Sequence, residues 1–145
     1  MVTYNEIVKA INTKIKAEFV DIVIHSTDSE EGLLRPSFRT NIDGIKVTNF
    51  MNVSKDREMT VRIYYFPKNK DKYRMELLSV QDQLENLFLD ENTVITENGF
   101  VIEIYESDIS VIDGVLHFYF DIILSEDFNR VDTGDNMEDL SLKQN

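Results

Sequence analysis

Between positions 116 and 124 every second residue is a large apolar one, Leu116, Phe118, Phe120, Ile122 and Leu124, with His117, Tyr119, Asp121 and Ile123 between them. Residues two apart share one face of a strand, whereas a helix would scatter them around its axis, so this stretch must be a β-strand with one buried side. Such a strand needs partners and a covering layer to hide that side. Asp113-Gly114 just ahead of it supplies a turn that tolerates positive φ. The same period recurs in Met59, Val61, Ile63 and Tyr65, set against Thr60, Arg62, Tyr64 and Phe66, until Pro67 and the charged run 68–72 end the pattern.

The covering layer is also written in the chain. Tyr4, Ile7, Val8, Ile11, Ile15 and Phe19 line one stripe of a helix over 3–19, and Thr3 with Glu6 forms a capping-box pair at its start. Tyr73, Leu77, Val80, Leu84 and Leu87 mark a second helix over about 71–89; the seam is too short for a coiled coil and suits packing on a sheet. Val20–His25 reads as a first strand and 26–32 as a polar loop. Pro36 opens a strand over 37–42, with Asp43-Gly44 as a hairpin turn into a further strand over 45–50. Residues 51–58 read as a long hairpin tip. Val94-Ile95 and Phe100–Tyr105 flank a second hairpin signal, Asn98-Gly99. The expected fold class is α+β, a mainly antiparallel sheet with two packed helices, forming a single domain over 1–124.

Charge bounds the partners. With 27 acidic against 15 basic residues the net charge is −12, which opposes binding to phosphate backbones or anionic lipid, so neither sequence-specific nucleic acid nor membrane is an expected partner. Residues 125–145 carry six carboxylates (Glu126, Asp127, Asp132, Asp135, Glu138, Asp139) against Arg130 and Lys143 and read as an acidic mobile tail. Removing its −4 from the total still leaves −8 on the body. The first residues show no signal-type start and no apolar run approaches a membrane span, so a soluble protein made in the cytoplasm is expected.

Chemistry finds little footing. The chain has no cysteine, which removes disulfides, thiolate nucleophiles and sulfur-ligated metals. His25 and His117 lie in strands without a metal-type spacing, and 132–139 lacks the ligand pattern of a calcium loop. Glu30-Glu31 and Asp90-Glu91 are loop carboxylates of the kind that serve solvation, and no phosphate-binding glycine loop or nucleophile elbow is present. Lys68, Lys70, Lys72 and Arg74 cluster around Tyr73, but in so acidic a chain they suit a solvated corner better than a nucleic-acid contact. No catalytic, cofactor or metal residue is assigned.

Three segments in order, Glu31-Gly32-Leu33-Leu34-Arg35-Pro36-Ser37-Phe38, Val61-Arg62-Ile63-Tyr64-Tyr65-Phe66-Pro67 and Val111-Ile112-Asp113-Gly114-Val115-Leu116-His117-Phe118, resemble the tail terminator (tail completion) proteins of long-tailed phages, prophages and phage-tail-like bacteriocins of low-GC Gram-positive bacteria. With the first helix, the resemblance spans about 4–124 and none of it reaches the acidic tail. It implies a tail-terminator-like fold and a structural, non-enzymatic role in virion assembly, with no cofactor. Copies would form a ring, expected to be a hexamer, that caps the tail tube, stops its polymerisation and joins a head-side connector or cap. The implied partners are further copies, the tail tube with its sheath where one exists, and the connector. The implied place is a virion or tail-like particle assembled in the host cytoplasm.

Within that reading, Met51, Asn52, Val53, Ser54, Lys55, Asp56, Arg57 and Glu58 are the candidate assembly contact; the same segment reads equally well as a solvated loop. Six copies would bring together six times −12, or −72, so assembly should favour salt or a basic partner surface. Two other readings stay open: a neck or head–tail connector protein, and a small acidic ligand-binding or hydrolytic domain using carboxylates near His117.

Overall fold

The computed structural model describes residues 2–25 and 34–127. The loop expected over 26–32, the Glu31-Gly32-Leu33 start of the first resembling segment, the 132–139 stretch and the tail beyond 127 lie outside the described residues. The elements run α1 (Tyr4–Glu18), β1 (Val23–His25), β2 (Ser37–Phe50), β3 (Ser54–Phe66), α2 (Arg74–Glu85), β4 (Thr93–Ile95), β5 (Val101–Glu103), β6 (Asp108–Ile112) and β7 (Val115–Asp127). Five strands form a sheet in the order β1-β2-β3-β7-β6, antiparallel except where β1 meets β2, and β4-β5 form a separate hairpin. The α+β class expected from the periodicities is the class observed.

One face of the sheet is dry. Met59, Val61, Ile63 and Tyr65 of β3 and Leu116, Phe118, Phe120, Ile122 and Leu124 of β7 are all buried there, meeting Ile7, Ile11 and Ile15 of α1 and Leu77, Val80 and Leu84 of α2 in one core. The capping box forms as the sequence indicates: Glu6 N–H donates to Thr3 Oγ1 at 3.1 Å and Thr3 N–H to Glu6 Oε1 at 2.8 Å. Accepting that backbone bond holds the Glu6 carboxyl below its ordinary value. At the other corner Glu76 ties α2 to the end of β3, accepting from Tyr65 Oη at 2.6 Å and Lys68 N at 2.8 Å. Burial, followed by that carboxylate, pushes the Tyr65 phenol well above its ordinary range.

Five local expectations are corrected. Asp43-Gly44 is a bulge within one long strand: Gly44 and Ile45 together oppose Met59 between the pairs Asp43/Thr60 and Lys46/Glu58, with Gly44 at φ +62°. The chain reverses later, at Met51-Asn52, both at positive φ, so that 54–58 belong to β3 and not to a loop. The first strand is shorter than 20–25, because Val20 and Asp21 are spent leaving α1. The second helix keeps its α-form only to Glu85 and ends in a π-turn, Asn86–Asp90, that buries Phe88 fully and leaves Leu87 partly exposed. The last strand also runs on through Ser125, Glu126 and Asp127.

At the β6–β7 turn, Asp113 (φ +51°) and Gly114 (φ +75°) form the expected reversal, and a Cβ on Gly114 would come within 3.1 Å of the Tyr73 ring at the start of α2. Gly99, at φ +84°, would meet nothing within 4 Å. Gly114→Ala should therefore cost more than about 1 kcal/mol and more than Gly99→Ala, because it adds a clash to the same kind of backbone strain. The order of the two urea midpoints checks this.

Candidate assembly surface

The distal half of the β2–β3 hairpin, which β7 follows along β3 as far as Ser54, forms an arm. Beyond the bulge every residue of β2 is exposed, and the arm carries Ile45, Val47, Phe50, Met51 and Val53 at 46–80% exposure. This is a dense run of exposed apolar side chains, which makes the segment a candidate contact surface. The reversal is held locally: Val53 N–H donates to Phe50 O at 3.1 Å, and the Asn49 side chain accepts from Asn52 N–H at 2.8 Å. Asparagine tolerates the left-handed region, but Met51 (φ +53°) does not readily, and it is the most exposed large apolar residue described.

The structure divides the segment 51–58. Met51, Asn52 and Val53 make the tip, Ser54, Lys55 and Asp56 are half-buried in the ladder, and Glu58 is exposed on the uncovered face opposite Ile123. Arg57 is 3% exposed and turned toward α1. Its Nη2 donates to Val2 O at 2.8 Å and to Glu126 Oε1, while Glu126 Oε2 accepts from Val2 N–H at 3.0 Å. The guanidinium also lies 5.1 Å from the Tyr4 ring centroid. Arg57 and Glu126 thus clasp the N-terminal segment to β3 and β7 and fix the root of the arm. Ile45, Val47 and Phe50, which sequence reasoning left out, are the arm's larger exposed apolar area; their apolar character within a strand was the available signal.

The uncovered face of the sheet is a lattice of arginines and rings. Arg62 pairs with Asp43 at 3.0 Å and lies 4.8 Å from the Tyr119 centroid, and Arg39 lies 5.4 Å from both Tyr64 and Phe66. His117 stands edge-on to Tyr64 at 4.8 Å, and burial followed by the Arg62 charge holds its imidazole below its ordinary 6.5. His25 accepts from Leu34 N–H at 3.2 Å, a structural bond. A groove of about 570 Å³ runs beside Arg62, Tyr105, Asp108, Tyr119 and Asp121, and His117 does not line it. Among the described residues no three of His, Asp or Glu converge to hold a metal.

Two measurements probe these groups. Arg57→Met or Glu126→Gln leaves a buried partner uncompensated and should cost about 3–5 kcal/mol, whereas Arg57→Met with Glu126→Leu should be less destabilised than the sum of the two, as read from urea unfolding. The depressed His117 pKa means that the unfolded chain takes up a proton first as pH falls below 6.5, so stability is complete above that pH and is lost beneath it. His117→Gln should flatten the fall in unfolding free energy between pH 6.5 and about 5; an unchanged slope would assign that loss to other groups.

No curated protein matches the sequence. A family model described as phage tail terminator protein matches residues 6–134, which takes in α1 from Glu6, α2, the seven described strands and the whole arm. With that match over most of its length, this chain of two helices packed on a mainly antiparallel sheet belongs to the phage tail terminator family, a structural component of the phage tail.

Proposed function

We propose that copies of this protein close into a hexameric ring on the last ring of the tail tube, stop its polymerisation, and present a surface to the head-side connector or cap. Family membership over residues 6–134 is the observation that carries this reading. A ring needs heterologous side-to-side contacts that close by rotation, and the exposed aliphatic arm with its long strand edges is suitable material for them. Segment 51–58 is assigned to the neighbour or tube contact, with Met51 and Val53 at the tip making it and Arg57 holding its direction. The acidity of −12 per copy opposes closure in dilute buffer and gives a DNA-repelling surface wherever it faces a conduit. Negative-stain imaging of tails assembled without the protein tests the reading. Overlong tubes are expected; tubes of normal length lacking heads would make it a connector, and normal particles would remove both roles.

A further inference from the structure

We propose that the outer edge of β2 in one copy pairs, parallel and in the same sheet, with the outer edge of β7 in the next copy, entering the groove between β7 and β5. This names the ring contact and so rests on the ring-forming role proposed above.

Among the described residues the two edges are free over stretches that overlap in height, from Ile42 beside Phe120 onward. β1 pairs only with Ser37–Arg39 of β2, so among the described residues β2 has no outer partner from Thr40 to Phe50. β6 reaches only to Tyr119 of β7, so among the described residues Phe120–Asp127 has no outer partner. Both β2 and β7 run antiparallel to β3, so they are parallel to each other, and the shared register sets Asp43 level with Asp121, Lys46 with Ile123 and Phe50 with Asp127. Each strand is therefore occupied at its beginning and open at its end, on opposite sides of one sheet and at the same height. A rotation that keeps strand direction brings one open half against the other, and the operation repeats head to tail. In a strand alternate residues direct both N–H and C=O outward, and groups left unpaired there seek another chain.

Side chains agree with the backbone. The groove between β5 and β7, about 370 Å³, is bounded by Val101, Tyr105 and Ile123, each at least half exposed, with Glu103 and Asp121 at its rim. The β2 edge brings Ile45 and Val47 with Lys46, which shares the uncovered face with Asp121. Its one carboxylate, Asp43, is level with Asp121 but is ion-paired to Arg62 of its own chain at 3.0 Å. An apolar edge whose unpaired charge is a cation thus meets an apolar slot bearing carboxylates, whereas β7 against β7 would set carboxylates against one another.

The chain contains no cysteine, which permits a direct test with the full-length protein. Thr48→Cys and Ser125→Cys are exposed substitutions on the same face of the two edges and at the same height. Mixed and oxidised at concentrations and salt where the wild type associates, they should give a disulfide-linked dimer that neither variant gives alone, while each keeps the wild-type urea midpoint. A dimer from Thr48→Cys alone would replace this contact with a symmetric one. Wild-type rings with no mixed dimer would overturn it, as would absence of any association, since the slot then takes either residues 128–145 of its own chain or a different tail protein. Tail length in particles lacking the protein is read separately. Mixed dimers with normal tails would keep the interface and remove the terminator role, and overlong tails without mixed dimers would do the reverse.

Discussion

β3 is hydrogen-bonded on both sides from Ser54 to Tyr65, and the rest of the molecule is arranged around that ladder. Because its side chains alternate, a single strand imposes two environments: Met59, Val61, Ile63 and Tyr65 require a dry layer, and Thr60, Arg62 and Tyr64 require a wet or contacting one. The helices answer the first requirement. Each isoleucine of α1 lies on the stripe that the sheet demands, and the clasp of Arg57 with Glu126 and Val2 extends that cover to the root of the arm. Past this point the ladder continues with less and less to cover it.

The family's role fits this division of the surface. An enzyme concentrates polar groups in a pocket that excludes water. Here Glu6 caps a helix, Glu76 joins a helix to a strand, Glu126 clasps the N-terminal segment and His117 packs on Tyr64. Exposed apolar area lies on strand edges and on the arm, as at Ile45, Val47, Met51, Val101 and Ile123. Such area is costly in a solitary chain and useful in an assembly, because each copy can bury it only against another molecule.

Much of the core was legible because burial follows period. Residues 116–124 and 59–65 show the dry face directly, and Thr3 with Glu6 marks the helix start because two orphan donors are satisfied reciprocally. The arm was less legible for three local reasons. Asp-Gly suits a bulge as well as a turn, since both need positive φ, and only the partner strand decides between them. Met51 gives no turn signal, because the reversal there is imposed by the strands and by the Asn49–Asn52 bonds. Arg57 looks like a solvated charge until Glu126, 69 residues away, is brought beside it. The exchange of Leu87 for Phe88 has the same origin: the seam is read at 3.6 residues per turn, and a π-turn adds a residue that the pattern does not announce.

The bulge at Gly44-Ile45 reaches further than its size suggests. Before it, Phe38, Thr40 and Ile42 share the helix side of β2; after it, Val47 takes that side, level with Arg57, and Lys46 looks the other way. One inserted residue has thus changed the phase of the alternation, so the distal half of the strand is decoded with even and odd positions exchanged. Any relative of this chain that lacks the insertion must either carry an arm with its apolar and charged positions transposed or present the opposite surface to its neighbours. The length of chain between Asp43 and Lys46 is in this sense a reading frame for the arm's two faces, set in space and not in codons.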